Sequence, residues 1–102
     1  MSIKKTVLKK NKCKVSFKIS ADVAKQFTKA SLVGDFNNWD ESADEMKKLK
    51  KDGSFSLQKT FESGKEYQFK YLLDGQNWLN EPENDKLVPT QFADSQNSVF
   101  VI

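Results

Sequence analysis

Apolar Cys13, Val15, Phe17 and Ile19 alternate with polar Lys14, Ser16 and Lys18. A period of two predicts a strand with one dry face and one wet face. The same period returns at Tyr67, Phe69, Tyr71 and Leu73, set against Gln68, Lys70 and Leu72, which predicts a strand over 66–73. Between these two lie shorter signals. Residues 21–27 read as a short helical turn or loop, and 29–34 as a strand. Segments 46–50 and 55–61 flank Lys51-Asp52-Gly53-Ser54, and an Asp-Gly pair between apolar runs marks a hairpin. Ser63-Gly64 turns the chain again, residues 76–96 are polar and hold both prolines, Pro82 and Pro89, and 97–102 form a last strand. Residues 1–10 read as a basic arm or an edge strand, and 11–102 as one domain without repeats. Short strands with no long helix predict an antiparallel sandwich of seven or eight strands. Its expected core is Val15, Phe17, Ile19, Leu32, Phe55, Leu57, Tyr67, Phe69 and Tyr71.

Composition narrows the function classes. A chain of 102 residues has room for one core and none for a catalytic barrel beside it. Hydrophobic residues are only 37%, but twelve aromatics, eight of them phenylalanine, supply large buried surfaces. The net charge of +3 hides an asymmetry: residues 1–29 hold nine lysines against Asp22 alone, net +8, and the remainder is net −5. Every basic residue is lysine. Base reading and phosphate clamping favour the planar guanidinium fork, so no specific nucleic-acid function is expected. The basic N-terminal face reads instead as a solvated strand surface that attracts polyanions only loosely.

No apolar stretch at the N-terminus has the form of a signal peptide, and no window approaches a membrane span. The single cysteine, Cys13, excludes an internal disulfide and suits a reducing cytoplasm. With no histidine in the chain, Cys13 lacks the usual activating base, and Ser-His-Asp triads and ordinary zinc sites cannot be built. Asp40, Glu41, Asp44 and Glu45 form an acidic cluster, but they lack the glycine and closing glutamate of a calcium loop and read as solvated surface. Asp35 and Asp74 stand beside glycines, where aspartate caps turns. The carboxylates are scattered over loops, so no acid/base pair, cofactor or metal is expected, and no enzyme activity.

The candidate chemistry lies in two runs, Leu32-Val33-Gly34-Asp35-Phe36-Asn37-Asn38-Trp39 and Tyr67 to Gly75 followed by Trp78. Each places a tryptophan just past a strand end, with asparagines and a lysine nearby. Turns display binding groups, so the pair reads as a flat aromatic platform; the other reading is that each tryptophan caps one end of the core.

The motifs GDFNNW, YQFKYLLDGQNW, EPEN, VP and NSVFVI resemble the glycogen-binding, isoamylase-type N-terminal domain, carbohydrate-binding module family 48. This family also occurs in the beta subunit of AMP-activated protein kinase. The resemblance covers about residues 13–102. It implies an all-β, immunoglobulin-like (early set) antiparallel sandwich and a non-catalytic module. The implied partner is glycogen, maltodextrin or another alpha-glucan, with an alpha-glucan-active enzyme or a kinase-type subunit as protein partner. It implies a sugar site made of Trp39, Lys70, Trp78 and Asn97. A glucan ring has apolar CH faces and a fringe of hydroxyls, which call for flat aromatics and for amide or ammonium donors. Two departures stand out. DGQNW is one residue longer than the kinase-subunit version, and Phe92 lies in a loop where kinase-type domains carry a leucine. The alternative reading is a protein-interaction or regulatory early-set domain without sugar affinity, because fold does not imply function.

Overall fold

The computed structural model describes residues 2–81, 83–89 and 96–102. Nine paired strands among these residues form two antiparallel sheets. The first sheet has the order β1 (Ser2–Val7), β2 (Lys12–Ile19), β5 (Phe55–Glu62) and β4 (Lys47–Lys48). The second has the order β3 (Ala30–Gly34), β6 (Glu66–Leu73), β9 (Gln96–Val101) and β8 (Lys86–Pro89). A short strand β7 (Asn77–Leu79) also pairs with β6. It continues the edge of β6 that β9 occupies lower down, since β3 takes the other edge. The fold is the expected all-β, immunoglobulin-like sandwich, with one helical turn, α1 (Ala21–Ala24), between β2 and β3.

The alternation in the sequence becomes the two faces of each sheet. Cys13, Val15, Phe17 and Ile19 point from β2 into the core and are buried, as are Phe69, Tyr71 and Leu73 from β6. Aromatic rings fill the centre. Phe17 meets Phe69 at 5.4 Å and Phe100 at 5.6 Å between centroids, both edge-to-face, the arrangement that ring quadrupoles favour. Leu57 and Tyr67 lie on the inner face as expected but are only half-buried. For Leu57 the reason is the partner strand: β4 pairs only with Phe55 and Ser56, so among the described residues β5 has no strand on that edge from Leu57 onward. Tyr67 closes the rim of the aromatic cluster, with its ring stacked on Phe100 at 5.2 Å.

Each side of the sandwich is closed differently. Residues 44–46 bond to the outer edge of β3 through Leu32 N–H to Asp44 O (2.8 Å) and Met46 N–H to Ala30 O (2.8 Å). The chain then crosses to the other sheet as β4. On the opposite side β1 and β8 are edge strands. There Lys5, on the inward face of β1 opposite Val15, reaches over to the Asp85 carboxylate and to Val101 O at 2.9 Å. An inward-pointing charge of this kind hinders edge-to-edge pairing with other chains.

The polar segment 76–96, which holds both prolines, contains β7 and β8. Three or four residues are too few to display a period, and Pro89 is tolerated because β8 is an edge strand that needs no donor on its outer side. Phe92 and its loop lie outside the described residues.

Candidate functional site

The first tryptophan is held by a loop built around Asn37. After Gly34 the chain makes a single 3-10 turn, Asp35–Asn37, and then passes through two consecutive left-handed residues, Asn38 (φ 58°) and Trp39 (φ 57°). Asparagine tolerates this region, whereas for tryptophan it costs about 1–2 kcal/mol, so the surroundings must impose it. Asn37 Oδ1 accepts from Gly34 N–H at 3.0 Å, and its Nδ2 donates to Leu32 O (3.0 Å) and to Asp44 Oδ2 (2.8 Å). Asp44 is in turn paired with Lys59 at 3.1 Å. Trp39 N–H donates to Gly34 O at 2.8 Å, which closes the loop, and the Trp39 side chain emerges 38% exposed.

Two findings revise the sequence reading here. Asn37 is spent on the backbone and on Asp44 rather than presented to a ligand, and Asp44 is an internal anchor rather than a solvated acid. Gly34 is needed for close approach, not for an unusual dihedral: a Cβ there would run into Gln68 O and the Phe36 ring. Asn37→Ala, which removes three hydrogen bonds, should destabilise the fold by about 2–3 kcal/mol, read by thermal or denaturant melts. Asn37→Asp, which keeps the acceptor but faces Asp44 with a second negative charge, should not rescue it.

The second tryptophan belongs to a strand. The β6–β7 hairpin turns through Asp74 (φ 52°) and Gly75 (φ 70°). Asp74 Oδ1 ties this turn to the start of β3 by accepting from Thr28 N–H (2.9 Å), Thr28 Oγ1 (3.0 Å) and Lys29 N–H (2.9 Å). These donors stabilise the charged form and hold the Asp74 carboxyl below its usual range. Asp74 therefore anchors its turn to residues 28 and 29 rather than capping it locally as expected, and Trp78 does not follow a strand end. It lies in the middle of β7 opposite Leu72, and its side chain is 47% exposed.

Register places the remaining residues. Gln68, Lys70 and Leu72 alternate outward from β6, Lys70 beside Val33 of β3 and Leu72 beside Trp78. Asn97 stands on the same outer face of β9, where its Nδ2 donates to Gln68 Oε1 at 3.1 Å. Lys70, Trp78 and Asn97 therefore share one face of the second sheet, and the Trp39 loop leaves the end of β3 at its margin. Val33, Leu72 and Val99 are buried on this face although, among the described residues, no second layer of strands covers it. Long neighbours such as Lys70 can lay apolar stems over such residues while the polar heads stay wet. Burial draws the Lys70 ammonium below its ordinary value.

A family profile for carbohydrate-binding module 48, the isoamylase N-terminal domain, matches residues 6–90. The chain belongs to this family. Among curated proteins, none matches significantly. The profile match takes in Trp39, Lys70 and Trp78 and stops before Asn97.

Two further features of the module escape the sequence reading or qualify it. Glu81, a charged residue in a polar stretch, is wholly buried. The Tyr71 hydroxyl donates to its Oε1 at 2.8 Å and the Glu83 N–H to its Oε2 at 3.0 Å, and its own N–H donates to the buried Ser98 Oγ at 3.0 Å. Ser98 Oγ also donates to Asn80 Oδ1 at 2.9 Å. This network binds the chain leaving Trp78 to the strand that carries Asn97, and only the Glu-Pro pair at 81–82 could have hinted at it. Cys13 is buried in the core. Among the described residues no cluster of three or more His, Cys, Asp or Glu could hold a metal ion, and no helix is long and apolar enough to cross a membrane.

Proposed function

We propose that this module is a non-catalytic binder of glycogen, maltodextrin or a related alpha-glucan in a reducing cytoplasm. It holds the glucan on the outer face of the β3–β6–β9 sheet. The observation that carries this reading is the exposure of both tryptophans, one of them on the same face as Lys70 and Asn97. Exposing two large aromatics forfeits the burial that tryptophan usually gains, and a ligand whose apolar faces stack on indole recovers it. Trp39 and Trp78 supply the stacking planes, and Lys70 and Asn97 meet hydroxyls. An open face leaves each ring partly solvated, so affinity is modest and rises with glucan length as more rings find platforms.

Titration with maltoheptaose, followed by tryptophan fluorescence, tests the reading. Trp39→Ala or Trp78→Ala should each weaken binding about tenfold with little change in melting temperature, since a nucleobase stacked on an aromatic gains about 1–3 kcal/mol and a sugar's less polarizable CH face falls near the low end of that range. Lys70→Ala should cost less, because one exposed hydrogen bond contributes about 0.5–1.5 kcal/mol. A wild-type spectrum unchanged up to millimolar ligand would refute the reading.

A specific observation favours a second reading, protein interaction. Val7 and Leu8 are exposed at the β1–β2 hairpin beside a basic strand face, a surface suited to an alpha-glucan-active enzyme or a kinase-type partner. If the fluorescence titration is flat, this surface becomes the functional one.

A further inference from the structure

Gln68 lies two residues before Lys70 on the outward face of β6, and its side chain is half-buried. Its backbone is fixed from two directions. Its N–H donates to Asp35 Oδ2 at 3.2 Å, and its carbonyl packs so closely against Gly34 that no Cβ fits between them. Desolvation raises the Asp35 carboxyl above its usual range despite that bond, in keeping with a packed junction between the Trp39 loop and β6. The side chain of Gln68 therefore leaves from a rigid point.

Its amide is half engaged. Gln68 Oε1 accepts from Asn97 Nδ2 at 3.1 Å, which couples the orientations of the two amides, so that whichever way they turn together one donor and one acceptor stay outward. Among the described residues neither the Gln68 Nε2 donors nor the Asn97 Oδ1 acceptor has a protein partner. The pair thus presents a donor beside an acceptor on the face that carries Trp78.

We infer that Gln68 is a ligand-contacting, specificity-determining residue, and that the Gln68–Asn97 amide pair recognises the vicinal secondary hydroxyls of an alpha-glucan ring. This inference rests on the proposed glucan reading. Neighbouring hydroxyls each donate and accept, so one accepts a hydrogen bond from Gln68 Nε2 while the next donates to Asn97 Oδ1. In a 1,4-linked glucan both secondary hydroxyls are unsubstituted on every internal ring, so each successive ring offers the same diol edge. The tryptophans recognise the flat faces, which many sugars share. The amide pair discriminates by hydroxyl arrangement, because leaving a site's polar groups unpaired is what rejects a wrong ligand.

The test compares wild-type protein and Gln68→Met, a near-isosteric change on a half-exposed face, in titrations of beta-cyclodextrin and of its derivative methylated on the secondary hydroxyls. Wild type should bind the parent and disfavour the methylated ring. Gln68→Met should keep its melting temperature, bind the parent about fivefold to tenfold more weakly, and lose most of the discrimination between the two rings. A Gln68→Met protein that binds the parent like wild type, or that keeps the full discrimination, overturns the inference while leaving the glucan reading intact. A wild-type protein that binds neither beta-cyclodextrin nor maltoheptaose overturns the glucan reading and this inference with it.

Discussion

Phe69→Ala should lower stability by about 3–5 kcal/mol, the usual cost of emptying a buried phenylalanine site. Phe69 is wholly buried in the middle of β6, paired with Gly34 of β3 on one edge and Ser98 of β9 on the other. Its ring contacts those of Phe17, Tyr71 and Phe100 at centroid distances of 5.4, 5.7 and 5.5 Å. Those neighbours are anchored on three strands, so the cavity has little freedom to collapse. A domain of this size has a total stability of about 5–15 kcal/mol, so the variant should be close to unfolding. Its melting temperature should drop by at least 12 °C at roughly 4–8 °C per kcal/mol. A loss below about 1 kcal/mol in denaturant melts would mean that the ring does not sit in the core as described.

The second large effect concerns Glu81. A buried carboxylate is costly unless its oxygens are met by donors. Here the donors are a tyrosine hydroxyl and a backbone N–H; among the described residues no lysine pairs with it. Glu81→Ala strands both donors and leaves a void, so it should cost about 3–5 kcal/mol. Glu81→Gln, which preserves the shape, should cost about 1–2 kcal/mol. Pairing Glu81→Leu with Tyr71→Phe should recover part of the loss, because removing both partners leaves neither unsatisfied. If the double variant is as unstable as the two single losses added, the hydrogen bond is not the source of the effect.

The same pair predicts an alkaline response. Burial, and then the Glu81 charge, push the Tyr71 hydroxyl well above its ordinary pKa. A group with a raised folded-state pKa contributes stability that is complete below the unfolded value and is lost as pH rises past it. Stability should therefore decline above about pH 10, the unperturbed tyrosine value. Tyr71→Phe should flatten that decline while lowering stability at neutral pH. A decline of equal slope in Tyr71→Phe would assign it to the lysines instead.

Several features of the site are legible in the chain. Period-two alternation places Lys70 opposite Phe69 and Tyr71, and therefore on an outer face, whichever sheet its strand joins. Asp-Gly at 74–75 marks the turn that brings Trp78 back. The roles of Asn37 and Asp44 are not legible, because a polar side chain in a loop looks the same whether it faces solvent or ties the loop together. Those roles follow from Leu32, Gly34 and Lys59 meeting them in space.

The all-β class, the long strands β2 and β6 with their inner and outer faces, and membership of a carbohydrate-binding family through two tryptophan-bearing motifs are all written in the chain. They are local properties, since alternation and turn chemistry act over a few residues. Four other features arise only when the sheets assemble: Trp78 lies in a strand, Leu57 is left at an uncovered edge, Glu81 is buried against Tyr71, and Gln68 accepts from Asn97. Gln68 and Asn97 are 29 residues apart in the chain, and no local pattern encodes which side chains two strands bring face to face. That is settled by sheet order and register, where the burial of every inward residue must be satisfied at once.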